Sequence, residues 1–281
     1  MAIIPYLTGF DVKPLSTSEI GIVTFTDGRN DIIPNQVQCE AYGYTYDKAS
    51  GTCSIFRFNT NLNRSFSNES NKIQGANNTT ETGTNNTQII GENNTVKGLS
   101  RNNIVVGSQN EIANGVNNAN VYGTLGEATA DNSIVLGGNA STDNLAERQS
   151  IHLMYGTQTT AGGTVDSYLN NITDNYFTIP DNTAMYFHAD VLAVRVGGTG
   201  TGSTGDFASF VERGVVINKS GTLSVSRERD AIKSSGTVTN WRPTATVDGT
   251  NFIIDVRGAT DVTVEWCSNI RFTQIKTGVA L

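Results

Sequence analysis

Glycines stand at positions 75, 83, 91, 98, 107, 115 and 123, about every eight residues, and most close an Asn-x-(Ile/Val)-x-Gly unit. The units read Asn71-Lys-Ile73-Gln-Gly75, Asn94-Thr-Val96-Lys-Gly98 and Asn103-Ile-Val105-Val-Gly107, with a longer Asn110-Glu-Ile-Ala-Asn-Gly115. Asn132-Ser-Ile134-Val-Leu-Gly137 repeats the theme. A fixed short period means one structural unit stacked on itself. Eight residues suffice for a strand of about five and a tight turn. Two such arms per coil predict a thin solenoid with strands about 4.8 Å apart and roughly three to four coils. Ile73, Ile89, Val96, Ile104, Ile112 and Val121 recur once per unit and are the expected inward positions. Asn suits the turns because it tolerates left-handed backbone and bonds neighbouring amides, and stacked Asn side chains form ladders. One or two inward aliphatics per coil, at about 25 cal/mol per Å² buried, do not offset the chain entropy. The period therefore predicts copies side by side, most simply a threefold bundle.

The rest of the composition fits a β protein. Hydrophobic residues are 37% and charged residues 16%, while Gly (29), Asn and Thr are abundant, which favours short strands and many turns over helices. A net charge of -7 leaves no basic footprint for a phosphate backbone, so nucleic acid is excluded as a partner. Met1-Ala-Ile-Ile-Pro5-Tyr lacks a basic region followed by an apolar core, and no run approaches 18 apolar residues. The expectation is neither classical export nor membrane insertion.

Three regions follow. Residues 1–66 read as an N-terminal attachment segment: an extended arm, a short helix over 34–42 with Gly43 as its stop, and a hairpin of 44–46 with 52–58 across Asp47-Lys-Ala-Ser-Gly51. Cys39 and Cys53 lie on the helix and hairpin, either as a disulfide worth roughly 3 kcal/mol or as two buried thiols. Residues 67–144 are the repeat tract. Residues 145–281 hold longer alternating strands, at 150–155, 184–196, 207–218, 222–226, 237–247, 251–257, 262–267 and 270–276, which predict an antiparallel β-sandwich. The fold class is thus all-β: a thin trimeric β-solenoid, then a sandwich, with a small helix-hairpin unit in front.

No residue set points to chemistry. Gly197-Gly-Thr-Gly-Thr-Gly-Ser-Thr-Gly205 lacks a Walker Lys-Ser/Thr and opens onto a strand, so it reads as a mobile loop. His152 and His188 lie inside strands without a nucleophile motif, and no soft-ligand cluster suggests zinc. Arg227-Glu-Arg-Asp230 reads as a solvated turn, Cys267 as a buried small hydrophobe and Trp266 as core. Thr199, Gly200, Thr201, Gly202, Ser203 and Asp206 form the candidate contact loop. Trp241, beside Arg242-Pro243, is the candidate stacking platform for a sugar. No catalytic, cofactor or metal residue is assigned, and the chain is expected not to be an enzyme.

The repeats resemble the head repeats of trimeric autotransporter adhesins, which also place Asn, an aliphatic pair and Gly in register. The stretch from about residue 147 onward is similar to a C-terminal domain of tailed-phage structural proteins found downstream of such repeats. Thr178-Ile-Pro180-Asp-Asn-Thr183, Ala189-Asp-Val-Leu-Ala-Val, the hairpin around 214–221, and Phe252-Ile-Ile-Asp-Val-Arg-Gly258 with Val264-Glu-Trp266 carry that likeness. A leader, a heptad stalk and a membrane anchor, which an autotransporter requires, are not visible. The resemblance therefore implies a virion protein of a tailed bacteriophage, a homotrimeric fibre or spike on tail or capsid. Its expected partners are its own copies, other virion proteins through residues 1–66, and a host-surface glycan or protein. The alternatives are a capsid decoration or tail component with no receptor, and a polysaccharide depolymerase spike.

Overall fold

A computed structural model describes residues 12–18, 21–48, 50–55, 70–140, 142–235, 238 and 240–278. Of the proposed arm over 1–26, residues 1–11 and 19–20 lie outside the described residues, as do hairpin residues 56–58, and the remainder of the arm is folded into a small sheet rather than extended. The chain divides into two compact units, Met1–Arg64 and Ser65–Leu281.

In the first unit, β1 (Lys13–Thr17), β2 (Val23–Thr26) and β3 (Asp31–Ile32) form an antiparallel sheet. Helix α1 (Gln36–Ala41) starts at a capping box, in which the Asn35 side chain accepts from the Gln38 amide and the Gln38 side chain accepts from the Asn35 amide. Pro34 thus precedes the cap, and Gly43 ends the helix at φ +79°. β4 (Thr45–Asp47) pairs with β5 (Thr52–Ser54) as the expected hairpin. Cys39 and Cys53 are bonded, with Cα atoms 5.7 Å apart, so the disulfide clamps helix to hairpin. Phe25 fills the small core, its ring edge-on to Tyr42 and Tyr44.

The second unit begins with the repeats. β6 (Lys72–Gln74), β8 (Gln88–Glu92), β10 (Ile104–Ser108), β12 (Asn120–Thr124) and β14 (Ile134–Gly138) stack in parallel. β7 (Thr79–Thr80), β9 (Thr95–Val96), β11 (Glu111–Ile112) and β13 (Glu127–Ala128) form the opposing parallel sheet. Val105 pairs with Ile89 and Ile112 with Val96, a step of sixteen residues. The eight-residue period is therefore half a coil, and the tract makes about four turns.

Each part of the repeat has a physical task. Asn94 is fully buried; its amide donates to the Gly107 carbonyl (2.8 Å), while its carbonyl oxygen accepts from the Asn110 backbone N–H (3.0 Å). Asn78 and Asn110 repeat both bonds one coil earlier and later. A buried amide with both ends satisfied links successive coils. Ile89, Val96, Val105, Ile112 and Val121 are fully buried within the single chain. This corrects the expectation for Ile104, which is exposed while Val105 fills the inward place. The two sheets of the solenoid bury these aliphatics against each other.

The ladder does not stop at residue 144. β14 pairs antiparallel with β15 (Arg148–Thr159). From there the sheet runs through β23 (Thr263–Lys276), β18 (Thr183–Gly197) and β19 (Phe207–Lys219) to β20 (Thr222–Ser234). The path from β6 to β20 thus holds ten strands. β16 (Thr164–Leu169) leaves the far half of β15 and joins β17 (Phe177–Thr178), β21 (Arg242–Asp248) and β22 (Asn251–Arg257) in a smaller antiparallel sheet. The smaller sheet lies on the face of the long sheet that carries Phe187 and Phe272, with the Phe252 ring 5.0 and 5.1 Å from theirs.

These strand assignments differ from expectation. Residues 262–267 and 270–276 are one strand, in which Ser268 turns into the core. Arg227-Glu-Arg-Asp230 lies within β20, an edge strand exposed on both faces, where charges discourage further pairing. Neither β16 nor β17 was foreseen.

Candidate functional site

The Gly-rich segment between β18 and β19 is organised around one side chain. Arg195, almost fully buried, donates from its guanidinium to the carbonyls of Gly197, Gly198, Gly200 and Thr201 at 2.8–3.1 Å. The Gly200 amide donates to the Asp261 carbonyl, and Asp206 accepts from the Ser203 amide at 2.7 Å. Gly198 has φ +91° and its α-carbon lies against Asp261 and Val262 backbone, a place only Gly fills. The loop is thus a shaped projection rather than a floppy one. Thr199, Thr201, Gly202 and Ser203 are exposed on it, while Gly200 and Asp206 are half-buried. A planar guanidinium has the donors to hold four carbonyls at once.

Trp241 does not join that surface. It is only 6% exposed, with its ring 6.2 Å from that of buried Trp266, so it is a core residue and not a stacking platform. Cys267 is exposed, where a buried thiol was expected. It lines an open recess of about 510 Å³ together with Met154, Gly156, Asn171, Glu265 and others. Glu265 there accepts from the Gln158 side chain at 2.6 Å.

A pair of carboxylates on the outer face of the smaller sheet was missed. Asp166 on β16 is directly opposite Asp255 on β22, and the two side chains share a hydrogen bond. The Tyr176 hydroxyl donates to Asp166 at 2.7 Å. Desolvation, then the hydrogen bond and charge of Asp166, push the Asp255 carboxyl up to about 6. Below that pH Asp255 holds its proton. Carboxyls in direct contact leave no room for a glycosidic bond, whose cleavage needs a separation of roughly 5 to 10 Å.

Glu212, fully buried on β19, accepts from the Ala245 amide (3.0 Å) and from Arg227 (3.2 Å). Burial raises its carboxyl above the ordinary range, and the amide and Arg227 partly offset this. The ion pair ties edge strand β20 to the core and to β21. Neither group had a sequence signal, since Asp166 and Asp255 meet only through tertiary pairing. Among the described residues no cluster of three or more His, Cys, Asp or Glu is placed to hold a metal ion, and no helix is long and apolar enough to cross a membrane.

No protein-family model and no curated protein matches the sequence. Three solved phage tailspikes share structural likeness. The Acinetobacter baumannii phage AM24 tailspike is 10% identical, with 73% of this chain and 55% of that one covered at a TM-score of 0.28. The Acinetobacter phage vB_ApiP_P1 tailspike is 11% identical, with 74% and 47% covered at 0.28. Tailspike gp49 of Acinetobacter baumannii bacteriophage Fri1 is 7% identical, with 75% and 48% covered at 0.27. The chain thus spans about half the length of these tailspikes. The Fri1 protein is described as a capsular polysaccharide depolymerase. The expectation that this chain is not an enzyme is corrected accordingly: its structural neighbours include an enzyme.

Proposed function

We propose that the chain is a structural virion protein of a tailed phage, a homotrimeric fibre or spike on the particle that contributes to host-surface attachment. The observation that carries this reading is the continuous ladder from β6 to β20, which joins a narrow solenoid to a broad β head without a break. Such a unit suits a rigid projection that holds loops away from its base. In this reading residues 1–66 attach to the virion, 67–144 form the spacer and 145–281 form the head. The loop held by Arg195 presents Thr199, Thr201 and Ser203 to a host glycan or protein.

Particles carrying a chain truncated after residue 144 test the reading. Lost host adsorption with intact particles supports it. Unstable particles support a decoration or tail component without a receptor, and unchanged adsorption overturns the attachment role.

A further inference from the structure

Within the second unit, the ten-stranded sheet is covered on one face only. The sheet of β7, β9, β11 and β13 covers its solenoid half, and the sheet of β16, β17, β21 and β22 covers its head half. No other described element of the second unit lies on the other face. Yet that face is rich in large apolar side chains, including Tyr122, Leu136, Met154, Tyr186, Leu192 and Ile275, each between 38% and 54% exposed.

The outer faces of the two covering sheets differ from it sharply. Thr79, Thr95, Glu111 and Glu127 face outward on the first, where Lys97 pairs with Glu111. Thr244, Asp166, Asp255 and Arg257 occupy the second. Those outsides are built for water, whereas β18 is apolar at most positions on both sides, His188 and Asp190 of its outward face excepted, as in a strand buried on both faces. Exposed apolar side chains gathered on one face in this way mark an interface.

We propose that this bare face is where copies of the chain pack against one another; the number of copies rests on the trimeric fibre reading. Three observations favour a second copy as occupant. The apolar positions form a straight row: Ile90, Val106, Tyr122 and Leu136 are successive Cα partners, and the row continues through Ser150 and Thr273 to Tyr186 and Val215. Rows in register along a rod suit a copy running beside it. The face also carries both signs of charge. His152, Arg271, His188 and Arg213 cross four adjacent strands in one row, and Arg213 pairs with Glu228 and Asp230 while Asp190 lies near His188. A surface that holds its own acids beside its own bases is complementary to itself, whereas an anionic membrane would ask for one sign. The size fits too. Five strands of 12 to 15 residues make a patch of roughly 20 by 40 Å, about the 800 Å² that one partner contributes to a stable interface.

Cys267, the one free cysteine of the chain, opens onto this face beside Leu192 and reports on it without any substitution. The full wild-type chain is labelled with a maleimide at micromolar concentration and sedimented in parallel. Tyr186→Lys and Leu136→Lys are compared with Thr95→Lys on the polar face. The proposal expects a multimer whose Cys267 reacts at least about 10-fold more slowly than in the two face variants, which sediment as smaller species. Thr95→Lys keeps both the mass and the protection. A multimer whose Cys267 reacts freely, or whose mass survives both face substitutions, overturns the proposed face and leaves the trimeric reading standing. A wild-type monomer overturns both.

Discussion

Replacing Gly107 by Ala tests the stacking of the solenoid. Gly107 lies in β10 at φ +127°, and a Cβ placed there would overlap the Gly123 carbonyl in the next coil and sit 3.1 Å from the Asn110 amide nitrogen. Gly75 and Gly91 stand in the same relation to the coils after them. The methyl group forces the ladder apart where its strands are closest and disturbs the buried Asn that bonds the coils. Backbone strain at positive φ costs about 1 to 2 kcal/mol, and overpacking adds about 1 to 3, giving about 2 to 5 kcal/mol in all. For a unit of this size that is a fall in Tm of roughly 5 to 15 °C. Gly115→Ala is the control, since Gly115 has φ +76° but no heavy atom within 4 Å of its Cβ position, so only the conformational cost of about 1 to 2 kcal/mol applies. Urea titration and thermal unfolding at matched concentration measure both. Equal losses for the two variants would refute the argument that close approach of backbones fixes glycine in the repeat.

Arg195→Met should release the carbonyls of Gly197, Gly198, Gly200 and Thr201, so hydrogen exchange and proteolysis rise over residues 197–206. Arg195→Lys should not restore protection, because an ammonium lacks the planar fork. Asp255 has a folded-state pKa of about 6 against an ordinary value of 3.8, so its proton is held more tightly in the fold. Its stabilising contribution is complete below pH 3.8 and is lost as pH rises to about 6. The raw shift corresponds to about 3 kcal/mol, which solvent screening of this half-buried pair reduces to about 1. Asp255→Asn should therefore raise stability at pH 8 by about 1 kcal/mol and flatten the slope between pH 4 and 6, as urea titrations across that range would read. Cys39→Ser should destabilise the first unit by about 3 kcal/mol, visible as faster proteolysis within residues 12–55, and reductant should reproduce the effect in the wild type.

The repeat was legible because steric and hydrogen-bond demands fix its residues one by one: Gly where backbones approach, Asn where an amide bridges coils, an aliphatic inside. Its register was legible too, except that neighbouring Ile104 and Val105 are both apolar. Alternation loses its meaning where the outer face is apolar as well, and Ile104 lies on that face. The same ambiguity hides the bare face in β18, whose sequence reads simply as a long hydrophobic strand. Ser268-Asn269 looked like a break because a polar pair interrupts the run, yet Ser268 is buried and Asn269 outward, as a continuous strand requires. Charges in β20 suggested a turn because an edge strand needs no apolar face. Trp241 was misplaced by its neighbours: Arg242 is exposed, but Pro243 is buried and the indole turns inward with it. Arg195 precedes a Gly-rich run, and only the fold shows that those carbonyls turn back onto it. Asp166 and Asp255 are far apart in sequence and meet by strand pairing alone.

Sedimentation equilibrium of the full chain at low micromolar concentration tests the central claim, that this is one member of a side-by-side bundle. A single species at three times the chain mass of 30.0 kDa is predicted. A stable, concentration-independent species at 30.0 kDa would contradict it.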